Sequence, residues 1–459
     1  MNERFEAIVI GTGQAGPSLA VRLAGSGRKT AIIERKRIGG TCVNNGCIPT
    51  KTLIASARAA YVARRGADFG VTIGSPIKLD MPAVKKRKDE VVRASTEGLT
   101  KWLGNTSSLS YIEGHARFES PRTVRVGDRL LEAHQFFINV GGRASVPKMP
   151  GVDQVPYYDN SSIMDVDFVP EHLLIVGGSY IGLEFAQMYR RFGSQVTVVE
   201  MGPKLIGRED DEVSDEIQMI LEREGIAFRL KAECISVAQH GSGVAIKLSC
   251  DDQPREIVGS HLLLAVGRTP NTADLGLDKA GVATDERGYI KVDDELRTNV
   301  PGIWALGDAN GRGAFTHTSY NDYEIVAANV LDGESRKVTE RIPTYALFID
   351  PPLGRAGMTE REVRADGRKA LVATMPMTRV GRARERSETQ GFMKVLADPD
   401  TQRLLGVALL GIEGDEVVQG LLDAMYAGTP YTLLARAMHI HPTVMELIPT
   451  LLQGLKPLA

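Results

Sequence analysis

A chain of 459 residues, 43% hydrophobic and 24% charged, has the length for several domains and the composition of an ordinary water-soluble protein. A formal net charge of −2 gives it no overall field to gather nucleic acid or an anionic membrane. No apolar run is long enough to span a bilayer and Met1–Glu6 has no basic-then-apolar secretory pattern, so the expected compartment is cytoplasmic.

The first predicted element is a strand, Phe5–Ile10, followed by the turn Gly11-Thr12-Gly13-Gln14-Ala15-Gly16 and a helix-like stretch. A second strand, Thr30–Ile33, ends at Glu34. Glycines at these spacings permit a tight turn and close backbone approach, so the helix N-terminus faces a pyrophosphate. The acid closing the second strand accepts hydrogen bonds from ribose hydroxyls.

Next come Gly39-Gly40-Thr41-Cys42 and Gly46-Cys47, then Pro49 and Lys51. Cysteines number only four, the others being Cys234 and Cys250, too few for a secreted disulfide scaffold. A close pair in a cytosolic chain is catalytic or metal-binding. Metal is the weaker reading, because no second Cys or His pair stands at finger-like spacing. Five helical steps rise ~7.5 Å, more than a relaxed disulfide spans. A Cys42–Cys47 bridge therefore needs a distorted turn, for which Gly46 gives backbone freedom, and such a bridge is reducible. Two structural thiols are the alternative. A helix is predicted from about Leu79 to Leu103, with the basic run Lys85–Lys88 read as a solvated face.

The opening unit then returns. Strand His172–Val176 leads into Gly177-Gly178-Ser179-Tyr180-Ile181-Gly182, a helix to about Phe192, and strand Gln195–Val199 closed by Glu200. Gly11 to Glu34 and Gly177 to Glu200 are both 23 positions apart. One glycine fingerprint is weak evidence, but two in matching context are strong. Two dinucleotide sites suggest FAD in one and NAD(P) in the other. Ser179 replaces the middle glycine, a departure from the ideal turn without loss of binding. The Glu200 carboxylate repels a 2′-phosphate, which favours NAD(H) over NADP(H); the nearest bases, Lys204 and Arg208, lie further along. Asp210 and Asp211 read as loop charges, and Cys234 and Cys250 as inert thiols. Arg382, Arg384 and Arg386 alternate as on the solvent face of a strand, an anion site shared with Arg379 being the alternative.

These motifs together resemble the class I pyridine nucleotide–disulfide oxidoreductases, the family of glutathione reductase, dihydrolipoamide dehydrogenase and mercuric reductase. The resemblance covers essentially the whole chain. It rests on the Cys42–Cys47 stretch, on Gly114-His115-Ala116, on Asn139–Gly142 with Pro147 and Pro150-Gly151, on Ala265–Asn271, on Thr298–Asp308, and on His441-Pro442-Thr443 with Glu446. It implies an α/β chain with two Rossmann-like dinucleotide-binding domains and a C-terminal α+β dimerisation domain. The implied boundaries are 1–155 and 276–338 for the split FAD domain, 156–275 for the NAD(P) domain and 339–459 for dimerisation. FAD would meet Gly11, Gly13, Gln14, Ala15, Gly16, Glu34, Gly40, Thr41, Lys51, His115, Ala116, Gly141, Arg268, Gly307, Asp308, Phe315, Thr316 and His317. NAD would meet Gly177, Tyr180, Ile181, Gly182, Glu200 and Gly267. No resident metal is implied.

By the same resemblance, hydride passes from nicotinamide to flavin, which then reduces the Cys42–Cys47 bridge. Cys47 is the thiol nearest the flavin and forms the charge-transfer thiolate, while Cys42 attacks substrate. Lys51 pairs with Glu184 near the flavin, Tyr180 gates the nicotinamide pocket, and His441, oriented by Glu446, moves the thiol proton for the partner subunit of a homodimer.

Phe315–Tyr323, Phe348–Glu360, Arg382-Ala383-Arg384 and Gly391–Lys394 resemble mercuric reductase-like and reactive-chlorine-resistance flavoenzymes. Yet no cysteine follows Cys250, and His441 stands where mercuric reductases have tyrosine. His317 and His439-Ile440-His441 resemble dihydrolipoamide dehydrogenase instead. The expected function is NADH-dependent reduction of a disulfide, thiol-reactive oxidant or metal ion through FAD and Cys42–Cys47. Dihydrolipoamide oxidation is the alternative. A redox sensor that merely holds FAD is disfavoured by the complete Cys–Cys–Lys–Glu–His set.

Overall fold

The computed structural model describes residues 2–233, 235–248 and 255–458, so Cys234 and Cys250 lie outside the described residues. Strand Ala7–Ile10, wholly buried, has Thr30–Glu34 on one side and Gln135–Ile138 on the other. Leu109–Glu113 and Ile303–Ala305 complete this parallel sheet at its two edges. A strand buried on both faces must be apolar throughout, which explains the unbroken Ala-Ile-Val-Ile run. Helix Ala15–Gly25 covers one face through Leu19, Ala20, Leu23 and Ala24, one stripe of its surface. Because Ile303–Ala305 joins last, this sheet is assembled from distant parts of the chain.

The second parallel sheet repeats the arrangement. His172–Val176 lies between Gln195–Val199 and the return strand His261–Leu264, with Ala227–Arg229 at the edge. Both glycine turns thus leave the C-terminal end of a strand beside its return strand, the position where open α/β sheets bind ligands. The two connections between the units pair as a short antiparallel ribbon, Gly142–Ala144 with Arg268–Pro270. The C-terminal region is a six-stranded antiparallel sheet in the order Thr344–Leu347, Leu353–Gly357, Leu404–Leu410, Phe392–Ala397, Leu371–Pro376, Lys456–Pro457. Helix Gly414–Tyr426 buries Val417, Val418, Leu421 and Leu422 in the core of this region.

Three local expectations are corrected. The arginine stretch is not a strand: Met377–Arg379 is a 3-10 turn and Gly381–Glu385 a short helix. Arg382 donates to the Pro442 carbonyl at 2.6 Å and Arg386 pairs with Glu413 at 2.9 Å. The basic run lies in helix Met81–Gly104, yet it is not simply a solvated face. Lys88 is buried against Asp89 and Asp165, and Arg87 donates to the Thr52 carbonyl of the neighbouring helix. Asp210 is no loop charge either. It is buried at the N-terminus of helix Asp211–Arg223 and accepts backbone N–H groups from Glu360 and Arg361. Alternation and charge runs report exposure only until a tertiary partner arrives. Among the described residues no helix is long and apolar enough to cross a membrane.

Candidate active site

Both glycine turns open onto one cavity of about 2070 Å³. The two units hold their acids in the same way. Glu34 accepts the Thr12 and Lys36 N–H groups at 2.9 Å each. Glu200 accepts those of Gly178 at 2.6 Å and Gly202 at 2.8 Å. Gly11 and Gly177 stand at φ +103° and +116°, where a Cβ would lie 2.3 Å from the Asn139 carbonyl oxygen and 2.4 Å from that of Ala265. Only glycine allows the return strand to come so close.

Of the residues expected at FAD, the cavity wall includes Gly11, Gly13, Gln14, Glu34, Gly40, Thr41, Lys51, His115, Ala116, Gly141, Arg268, Asp308, Phe315, Thr316 and His317. Of those expected at NAD it includes Gly177, Tyr180, Ile181, Glu200 and Gly267. Ala15, Gly16, Gly182 and Gly307 do not line it. A Cβ on Gly16 would stand 2.2 Å from Gly11 O, and one on Gly182 2.0 Å from Gly177 O, so these two glycines serve helix–strand packing. Ala15 is wholly buried, and Gly307 packs on Ser319 and donates its N–H to Asp322.

The wall fits FAD. The first turns of helices Ala15–Gly25 and Tyr180–Phe192 carry no acidic residue, which leaves both N-termini to an anion. Gly40 closes on Gly13, where a Cβ would meet Gly13 Cα at 2.8 Å, so the backbone of the redox helix forms part of the cradle. Asp308, at the cavity, pairs with Arg268 at 3.1 Å. Among the described residues no group of three or more His, Cys, Asp or Glu could hold a metal ion.

Cys42 lies in helix Gly40–Asn45, and Cys47 starts helix Cys47–Arg64. Gly46 breaks the two apart at φ −138°, ψ −119°, and a Cβ there would meet Thr41 O at 2.8 Å. This is the distorted turn that the pair requires. Both cysteines are free thiols. Cys42 donates to Cys47, which together with burial pushes the Cys42 thiol strongly up. The hydrogen bond from Cys42, aided by Thr316 and the Lys51 charge, pulls the Cys47 thiol down to about 6.

Thr316 Oγ1 stands 3.0 Å from Cys47 Sγ, at the N-terminus of helix Thr316–Ala327. The resemblance implies FAD contact for Thr316 and is silent on this sulfur contact, since a threonine at a helix start has no chemical signature. Lys51 Nζ bonds Glu184 Oε2 at 2.5 Å and lies 4.3 Å from the centre of the Phe348 ring. Glu184 is buried, and its other oxygen accepts the Phe348 N–H at 3.1 Å. Tyr180 packs edge-on to Phe315 and Tyr345; the sequence did not single out Tyr345.

His441 Nδ1 bonds Glu446 Oε2 at 2.7 Å, as the spacing predicted. Neither residue lines the cavity of its own chain. The His441 side chain is 79% exposed while that of Glu446 is 11% exposed, so a buried acid presents an exposed base. Met438 and Ile440 beside it are 99% and 79% exposed, an apolar surface around the histidine.

Comparison with known proteins agrees with this geometry. The family described as pyridine nucleotide-disulphide oxidoreductase matches residues 5–322, and its dimerisation domain matches residues 343–452. The chain is 36% identical to the probable pyridine nucleotide-disulfide oxidoreductase RclA of Escherichia coli over 96% of its own length and 97% of that protein. The solved structure of that protein, described as an HOCl-induced flavoprotein disulfide reductase, matches with a TM-score of 0.89 at 35% identity, covering 98% of this chain and 99% of that one. The chain is 33% identical to the mercuric reductase of Streptomyces lividans, over 96% of this chain and 94% of that protein. It is 32% identical to a dihydrolipoyl dehydrogenase of Cupriavidus necator, over 98% and 97%.

Proposed function

The chain belongs to the class I pyridine nucleotide-disulphide oxidoreductases, and from that premise we propose that it uses NADH to reduce a disulfide, a thiol-reactive oxidant or a metal ion through Cys42 and Cys47. The family is one of flavoprotein oxidoreductases with a redox disulfide, whose members use FAD and pyridine nucleotides. Its dimerisation domain supports a homodimer. The residues 1–155 and 276–338 form the FAD domain in this reading, 156–275 the NAD domain and 339–459 the dimerisation domain.

The observation that carries the proposal is the placement of the two cysteines on either side of the Gly46 break, in the wall of the cavity onto which both glycine turns open. Cys47, lowered to about 6, sits against Thr316 and near Lys51 on the flavin side of the pair. Cys42, held protonated, is the thiol that needs a base before it can attack. The FAD cradle lies at Gly11, Gly13, Gly40 and Asp308, and bound flavin supplies a two-electron carrier between nicotinamide and dithiol. Lys51, fixed by Glu184, keeps a positive charge beside that carrier and beside the Cys47 thiolate.

His441 of the partner subunit takes the Cys42 proton, with Glu446 fixing its ring through Nδ1. Its exposure, its apolar surroundings and its absence from its own cavity wall support that placement. Cys42 then attacks the acceptor, and Cys47 resolves the mixed disulfide. NADH is favoured over NADPH because Glu200 lines the cavity and Lys204 is drawn away to Asp211 and to the Glu209 carbonyl, against which Arg208, also in the cavity wall, is the remaining base.

A second reading, oxidation of dihydrolipoamide by NAD, is favoured by the His441–Glu446 pair, which suits a dithiol that must lose protons. One panel separates the two. The enzyme is assayed with NADH and NADPH against lipoamide, glutathione disulfide, an aromatic disulfide, Cu(II) and Hg(II). Reduction of an oxidant or metal ion with NADH, and poor lipoamide turnover, is the expected result. Dominant lipoamide turnover would rule out an oxidant or metal ion as the acceptor and favour the second reading. A preference for NADPH would overturn the role given to Glu200.

A further inference from the structure

Three polar side chains of the antiparallel sheet converge on the loop after Glu200. Tyr345 and Arg355 are direct cross-strand partners, and Arg355 and Lys394 both oppose Ala408. They therefore form one transverse row on a single face of the sheet. Facing them are Glu209 and Asp210. Glu209 is fully buried; its Oε1 accepts the Tyr345 hydroxyl, and its Oε2 lies 3.5 Å from Arg355 Nε. Lys394 stands 3.3 Å from Asp210. A buried carboxylate persists only with such company.

The loop is tied in the other direction as well. Ile206 N–H donates to Gly178 O at 3.0 Å, and Lys204 Nζ donates to Glu209 O at 2.8 Å. Glu209 thus joins the second glycine turn to the C-terminal sheet.

The consequence falls on the ring of Tyr345, which lines the cavity. Its backbone is fixed by the sheet and its hydroxyl by Glu209. The ring lies flat on Phe315, with centroids 5.6 Å apart at 10°, and meets Tyr180 edge-on at 5.5 Å and 86°. Phe315 also meets Tyr180 edge-on, at 6.0 Å and 87°. Tyr180 is thus held by the rings of Phe315 and Tyr345 and by the Tyr345 hydroxyl, with the Arg208 guanidinium 6.0 Å from its ring centre.

We propose that Tyr345, anchored by Glu209, is a positioning residue that wedges Tyr180 over the nicotinamide pocket and so sets how readily the dinucleotide is admitted. The inference rests on the reading of Tyr180 as the gate of that pocket. A phenylalanine at 345 would keep the stack on Phe315 but lose its anchor, and the ring could then slide and let Tyr180 swing.

The test uses the FAD-loaded enzyme and two measurements: the second-order rate constant of flavin reduction at low NADH by anaerobic stopped flow, and the dissociation constant of NAD⁺ by equilibrium titration. Tyr345→Phe is expected to raise the rate constant and to tighten NAD⁺ binding, each about threefold, the scale of one lost hydrogen bond. The limiting reduction rate at saturating NADH should stay within about twofold, because the wedge acts on admission and not on hydride transfer. Tyr180→Ala should have a larger effect in the same direction, and adding Tyr345→Phe to it should change nothing further. If Tyr180→Ala alters neither quantity, the gate reading falls and the wedge with it. If Tyr180→Ala acts but Tyr345→Phe does not, or if the two effects simply add, the gate stands and the wedge is wrong. Should Tyr345→Phe not fold, Glu209→Asp shortens the anchor while keeping the charge opposite Arg355, and the same outcomes decide.

Discussion

Behind the first glycine turn stands Asn139, and at the matching place behind the second stands Ala265. Each follows its return strand and donates its N–H to the end of the glycine strand, Asn139 to Ile10 and Ala265 to Val176. The acids, the turns and the sheet order match as well. The Asn139 side chain fills the space under Gly13 and Gly16 and reaches Gly307, whereas the short Ala265 side chain reaches only Gly182, and Leu205 and Glu200 pack against Gly178 instead. Beyond Glu34 the chain runs into the cysteine helix; beyond Glu200 it runs into a loop locked to the C-terminal sheet by Glu209 and Asp210. One backbone plan thus serves two uses: a turn braced from behind, suited to a resident cofactor, and a turn with an aromatic gate in front, suited to a visitor.

In the proposed function electrons arrive through the second unit and leave through the cysteines attached to the first. Cys42→Ser should separate the two halves most completely. Disulfide reduction is expected to vanish, because no thiol remains to attack, while NADH reduces the flavin at the wild-type rate. Slow flavin reduction in this variant would mean that the two halves are not independent; residual disulfide turnover would move the attacking thiol to Cys47.

The paired packing glycines give the next effect. A methyl on Gly16 would meet Gly11 O at 2.2 Å and one on Gly182 would meet Gly177 O at 2.0 Å, with backbone as the obstacle in both. Gly16→Ala is expected to purify with little flavin absorbance. Gly182→Ala should keep its flavin and raise the KM for NADH about tenfold or more. Flavin loss from Gly182→Ala instead would reverse the assignment of the two units.

Acid should act on the thiol pair. The Cys47 thiol is lowered from its ordinary 9.0 to about 6, so its thiolate persists above that pH and falls about tenfold per unit below it. On the nicotinamide side Tyr180 is raised to about 12 by burial, and burial also pushes the Glu209 carboxyl up. Alkylation of the reduced enzyme should therefore follow an apparent pKa near 6. A thiol titrating at its ordinary value would show that Cys42, Thr316 and Lys51 do not share the charge as described.

The two units and the cysteine pair were legible in sequence because each rests on short-range spacing, while the Lys51–Glu184 and His441–Glu446 pairs followed only from the resemblance to the family. Asp210, Lys88 and Arg382 were misread because their surroundings come from elsewhere in the chain. A charged residue in a polar run looks solvated until Lys394, Asp165 or the Pro442 carbonyl is brought against it. Tyr345 and Arg355 had no signal at all. Their shared face depends on strand register, and Glu209 reaches them across a domain boundary that no local pattern records.

Ser179 is where the comparison predicts the smallest effect. In the sequence it is a defect in the fingerprint; in the structure it is the residue that Ala265 permits. A Cβ on Gly13 would lie 3.2 Å from Asn139 Nδ2, so the first turn has no room for a serine unless Asn139 shifts. Ser179 stands in extended backbone at φ −111°, ψ −170°, which any residue adopts. Restoring glycine therefore relieves no clash, and Ser179→Gly should leave the NADH KM within about twofold and stability within about 1 kcal/mol. A large gain in NADH affinity would show that the serine does obstruct the dinucleotide. The contrast between Asn139 and Ala265 would then no longer explain why one turn keeps its middle glycine and the other does not.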